Sequence, residues 1–141
     1  MNRLDDLEVY KLAMGFGDHI WKLVKSWSVF EQRTIGIQLV RAADSVAANI
    51  AESHGRYHYG ERRQFSYYAR GSLTESESWL AKCEARRLIP EHEVKELIQD
   101  AGQLGRMPNG YIRSIGNVIH PCSIQGQYQL EAQCFMVKLR S

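Results

Sequence analysis

The stretch Gln38–Glu52, QLVRAADSVAANIAE, constrains the fold more than any other part of the chain. It is sparsely charged in its middle and crowded with alanine. Ile35, Leu39, Ala43, Val46 and Ile50 recur at three- and four-residue steps, the stripe of a core-facing helix. Gln38, Arg41, Ser45, Asn49 and Glu52 make a second stripe, interleaved with Ala42, Ala47, Ala48 and Ala51 rather than with lysine and glutamate. Small side chains permit close backbone approach, so this helix is expected to touch protein on both faces. One face packs the core, and the alanine-rich face is left over for a second copy.

The remaining helices follow from the same periodicity. A first helix is expected from about Asp5 to Trp27, with Leu7, Tyr10, Met14, Gly17, Trp21 and Val24 on its inner stripe. Gly15 and Gly17 read as close packing points, because no strand precedes them as a phosphate-cradling loop requires. Residues 26–30 break the pattern. The second helix then starts with Glu31 near its first turn and ends around Ser53–Gly55, with Gly55 as a left-handed terminator. A third helix is expected from about Glu61 to Leu88, its buried stripe formed by Phe65, Tyr68, Ala69, Ser72, Ser76, Trp79, Leu80 and Cys83. Pro90 opens a fourth helix, running through Leu97, Leu104, Ile112 and Val118 with a kink expected before Pro108. Short connectors make such helices antiparallel neighbours. The expected fold is therefore all-α, an up-and-down antiparallel four-helix bundle over residues 1–120. Residues 121–141 form a tail without clean period, either disordered or docked on a neighbouring subunit.

Composition narrows the function classes. The 141 residues suit one domain, and no apolar run is long enough to cross a bilayer. The acids in MNRLDDLEVYKL argue against a signal peptide. Cys83, Cys122 and Cys134 make no disulfide framework, so a cytoplasmic location is expected. A net charge of +2 permits nucleic-acid binding without pointing to it.

Chemistry-bearing residues fall into two groups. Arg56, Tyr57, His58, Tyr59, Arg62 and Arg63 gather basic and aromatic side chains around the second turn. Arginines suit phosphates and tyrosine faces suit unpaired bases, so these six are the candidate nucleic-acid-binding residues. The competing reading is a solvated turn that caps one end of the bundle. Arg41, Asn49, Glu52 and Glu75 are the second group. Glu75 is expected at the edge of a buried stripe and needs a partner there. Arg41 is therefore expected to pair with Glu75 or Glu52 in a buried network that fixes helix register. Catalysis would need a cleft that nothing in the sequence predicts, and Ser45 and Ser72 sit beside alanine or glycine as packing residues. No catalytic residue is expected, and the chain is read as a non-enzyme. His54 and His58 are interrupted by Gly55 and lack a helical carboxylate companion, so no metal site is expected. No cofactor or small-molecule substrate is expected either.

Taken together, Gln38–Glu52, the run Ala69-Arg70-Gly71-Ser72-Leu73-Thr74-Glu75 and Arg113-Ser114-Ile115 resemble a bacterial family of small four-helix bundle proteins. Some of its members are encoded within intervening sequences of 23S ribosomal RNA genes. Val40 stands where that family usually has a basic residue, Ser53 where it usually has glycine, and Pro108 where it is more regularly helical. The resemblance implies a ring-shaped homopentamer, a cytoplasmic location and association with ribosomal or other RNA. A remoter likeness is to accessory proteins of diversity-generating retroelements, which bind nucleic acid and a reverse transcriptase. The alternative function is a homo-oligomeric scaffold for a protein partner, without nucleic-acid binding.

Overall fold

A computed structural model describes the backbone of residues 3–116 and the side chains of residues 3–106. After a short 3-10 turn, Leu4–Asp6, helix α1 spans Glu8–Lys25. A second helical run, α2, covers 29–55. It begins with an α-helical turn, Val29–Glu31, passes through a π-helical turn, Gln32–Gly36, and continues as Ile37–Gly55. Helix α3 spans Tyr59–Ala85 and α4 spans Glu91–Gly116. No strand occurs among the described residues. The helical assignment of α4 continues through Pro108. The tail 121–141, with Cys122 and Cys134, lies outside the described residues, as do the side chains of Arg113, Ser114 and Ile115.

Each helix packs on its chain neighbours, and α4 closes back on α1, which makes a four-helix bundle. Neighbours run antiparallel. Ser53 of α2 meets Ser66 of α3, while the earlier Asn49 meets the later Ser72. The core is built from Phe16 and Ile20 of α1, Leu39 and Val46 of α2, Leu80 of α3, and Leu97 and Leu104 of α4, all fully buried. Burying each such side chain contributes about 1.5–3 kcal/mol. The expected α2 stripe of Ile35, Leu39, Ala43, Val46 and Ile50 is buried throughout.

Two other stripes match their expectation in part. In α1 the expected Gly17 and Val24 are buried, but the rest of the inner face is Val9, Ala13, Phe16 and Ile20, whereas Met14 and Trp21 are exposed. In α3 the expected Ala69, Ser76, Leu80 and Cys83 are buried together with Ser66 and Leu73, whereas Tyr68 is exposed. Both helices carry apolar residues on two faces, and only packing decides which faces inward.

The ends of the helices follow local chemistry. At the start of α2 the Ser28 hydroxyl accepts from the Glu31 N–H, and the Glu31 carboxylate accepts from the Ser28 N–H, a reciprocal cap. Gly55 is not left-handed. The helix ends instead because Arg56 is extended, at φ −81° and ψ 139°. The described residue with positive φ outside glycine is Arg87, at 57°, after α3. Its N–H donates to the Glu84 carbonyl and that of Leu88 to the Cys83 carbonyl, so orphan carbonyls at the α3 terminus are satisfied. No described helix is long and apolar enough to cross a membrane.

Candidate nucleic-acid interface

The turn from α2 to α3 is only three residues long, Arg56, Tyr57 and His58, and is held from beneath. The Ser53 side chain, fully buried, donates to the Arg62 carbonyl at 2.7 Å, and its oxygen lies 3.0 Å from that of the Ser66 hydroxyl. Ser66 also donates to that carbonyl, at 2.9 Å. Two hydroxyls thus tie the last turn of α2 to the first turns of α3. That explains a serine here rather than a glycine, which would leave a hole and no donor.

Arg56 is fixed on this platform. It pairs with Glu52 one turn back, approaches Glu61 at 3.9 Å, and lies 4.9 Å over the Phe65 ring. Its charge is largely spent within the fold. Tyr57 is the opposite case, 93% exposed, with its ring edge-on to His58 at 5.4 Å. His58 is exposed, while Tyr59, Arg62 and Arg63 are half-buried. The six candidate residues therefore gather at one end of the bundle as their sequence proximity requires, but in different roles. Arg56 holds the turn, and Tyr57 presents an open ring.

The patch runs further than the sequence reading carried it. Along α3 the Arg63 guanidinium lies 5.7 Å from the Tyr67 ring centroid, and that of Arg70 lies 5.5 Å from the same ring. Tyr67 remains 43% exposed. The run Arg63–Tyr67–Arg70 follows the i, i+4, i+7 stripe of one helix face, about 10 Å from end to end at 1.5 Å per residue. Arginine over an aromatic face gains a favourable contact of about 0.5–1 kcal/mol when exposed and holds the cation in place. The signal was present in the sequence as that spacing, but it lies beyond the turn. Next to it, Gln64 donates to the Tyr68 hydroxyl at 2.7 Å.

The second group does not form the buried network expected of it. Arg41 and Glu75 are exposed, and among the described residues no ion pair joins Arg41 to Glu75 or Glu52. Glu75 instead accepts from the Trp79 indole N–H at 3.2 Å, and Glu52 is paired with Arg56. The reason is that the buried face of α3 runs through Leu73 and Ser76 and leaves Glu75 on its exposed flank. Of these four, Asn49 reaches across to the neighbouring helix, donating to the Ser45 carbonyl at 2.9 Å and to the Ser72 hydroxyl of α3 at 3.4 Å.

Comparison with known proteins bears on the fold. The family model described as 23S rRNA-intervening sequence protein matches residues 5–110. A crystal structure of a protein of unknown function from the S23 ribosomal protein family of Bacteroides thetaiotaomicron superposes with a TM-score of 0.68. The two chains are 22% identical, and the match covers 74% of this chain and 97% of the other. At that identity the likeness shows the fold alone. No curated protein matches the chain.

Proposed function

The chain belongs to the 23S rRNA-intervening sequence protein family, and from that premise we propose that it is a non-enzymatic, RNA-associated bundle protein of the cytoplasm. It works as a homo-oligomeric ring, a pentamer by resemblance. The observation that carries the RNA reading is the Arg63–Tyr67–Arg70 ladder on α3, together with the open Tyr57 ring in the turn before that helix. Arginines spaced along one helix face suit successive phosphates, and tyrosine rings beside them suit unstacked bases, so single-stranded RNA is the favoured form. A ring would repeat this patch around one rim and multiply weak contacts.

Labelled single-stranded RNA titrated at two salt concentrations tests the reading. Affinity should fall by ~0.7 log unit per log unit of salt for each phosphate neutralised. Replacing Arg63 and Arg70 with glutamine should flatten that slope. Tyr57→Ala should weaken binding by about 1–3 kcal/mol per stacked base while leaving the slope alone. No binding by the wild-type chain at low salt would sink the proposal, and light scattering that returns the 16.2 kDa monomer mass would sink the ring.

A further inference from the structure

The opposite end of α2 carries a surface that RNA association leaves unused. A cavity of about 360 Å³ lies between α1 and the π turn, walled by Trp21, Ile37 and Val40, with Lys25 and Arg41 at its rim. Trp21 is 56% exposed and Ile37 46% exposed, so two large apolar side chains face water across it. Its frame is rigid. Gln32 donates from Nε2 to the Val24 and Lys25 carbonyls at 3.3 and 3.0 Å, locking the π turn onto the end of α1. Gly36 lies so close to Val24 that a Cβ there would meet its methyl at 2.7 Å. Turns of this kind recur at functional sites.

Charge identifies the occupant. The cavity lining holds two cations and no acid. Among the described residues neither Lys25 nor Arg41 has an ion-pair partner. The nearest acids along the two helices are Glu31, whose carboxylate accepts from the Ser28 N–H, and Asp18 and Asp44, each three residues from a lining residue, with the Asp44 carboxylate facing Gly17. Within the chain, the exposed Phe30 and Tyr67 each have a cation three positions on, Arg33 and Arg70, and the apolar run Phe135-Met136-Val137 is followed by Lys138 and Arg140. These segments would set like charges against Lys25 and Arg41, which costs specificity. The acidic start of α4, with Glu91, Glu93, Glu96 and Asp100, buries Val94, Leu97 and Ala101 in its own core and leaves Ile98 exposed, so in a second copy it presents no apolar stripe.

We propose that this groove docks an acidic amphipathic helix of another protein, one large apolar side chain entering between Trp21 and Ile37 while carboxylates on its flanks meet Lys25 and Arg41. The cavity volume suits one or two bulky side chains, the anchor pattern of helix-in-groove recognition. The proposal does not depend on RNA binding, which uses the other end of α2.

Two fluorescein-labelled helical peptides test it. They share leucine anchors at i, i+3 and i+7 and differ only in carrying glutamate or lysine on the flanks. By anisotropy with the full chain, the glutamate peptide should bind at least about tenfold tighter. Ile37→Asp, at an exposed position, should abolish binding with an unchanged circular dichroism spectrum. Lys25→Glu together with Arg41→Glu should reverse the preference between the peptides. Equal binding of the two peptides, or none, overturns the proposal. So does a fall in oligomer mass by light scattering for Ile37→Asp, because the groove would then be covered by a second copy.

Discussion

At its N-terminal end α2 meets α1 through a π turn, a reciprocal serine–glutamate cap and an apolar cavity. At its C-terminal end it meets α3 through a three-residue turn, buried hydroxyls and an arginine–tyrosine surface. Both connections are short, yet they are built from different interactions. The first rests on steric fit, with Gly36 against Val24 and Gln32 against two carbonyls. The second rests on hydrogen bonds to one backbone carbonyl, that of Arg62. The difference predicts that the first end is sensitive to added volume and the second to lost donors, with binding surfaces of opposite character as the result.

The largest effect should come from Gly36→Ala. The new methyl would lie 2.7 Å from Val24 Cγ1 and 3.1 Å from the Glu31 carbonyl oxygen. Val24 is β-branched and buried, so it has little freedom to yield. Overpacking of this kind costs about 1–3 kcal/mol, read as a lower denaturant midpoint. Gly55→Ala is the matched control at the other end, since a Cβ there meets nothing within 4 Å. A Gly36→Ala variant as stable as that control would show that the π turn relaxes freely.

Ser53→Ala should come next. It removes the hydroxyl that donates to the Arg62 carbonyl, but Ser66 still donates to the same oxygen. The loss should therefore be about 1 kcal/mol, near the usual net worth of one hydrogen bond. Rescue by Ser53→Thr is not expected, because the site is fully buried and an extra methyl overpacks it. A Ser53→Ala variant that also loses RNA affinity would show that these hydroxyls set the position of Arg62 and Arg63.

How far the two ends were legible follows from the same contrast. The helices themselves, the α2 stripe and the break at residues 26–30 are periodic signals, and they survive folding because a buried stripe needs that spacing. The basic turn was legible because its residues are sequence neighbours. The groove was not. It depends on Trp21 facing outward, and α1 has two apolar stripes at helical spacing, one through Met14 and Trp21 and one through Phe16 and Ile20. Periodicity cannot rank them, and the larger aromatic is no guide to the inner face. The π turn was hidden for a related reason. Gln32 and Gly36 are ordinary helix residues until α1 supplies carbonyls for one and a methyl against the other. Arg70 belongs with Arg63 only once α3 is known to present both beside the Tyr67 ring.

A smaller effect of opposite sign is expected from Asp44→Asn, between the two ends. Partial burial against α1 raises the Asp44 pKa from its ordinary value, and Asp18 adds like-charge repulsion. The folded state therefore binds this proton more tightly than the unfolded state, whose reference pKa is 3.8. Stability from this group is present below pH 3.8 and is lost as pH rises through the raised folded value. Asp44→Asn should raise the melting temperature at pH 7 and leave it unchanged at pH 3. The reverse pattern would mean that the carboxylate is stabilised by a cation in solution.

The smallest effect on stability should be that of Arg41→Ala, and it is the sharpest check on the groove. A buried arginine–glutamate pair loses about 3–5 kcal/mol when one partner is removed, because a charge is left stranded in low dielectric. Arg41 is exposed and its expected partners are engaged elsewhere, Glu52 with Arg56 and Glu75 with Trp79. Removing it strands nothing, so the melting temperature should match that of an exposed control such as Gln99→Ala, within about 0.5 kcal/mol. Its guanidinium still stands at the rim of the cavity beside Val40 and Ile37. Affinity for the glutamate-flanked peptide should therefore fall while stability does not. An arginine whose loss changes stability but not binding would belong to the bundle; the reverse result assigns it to the groove.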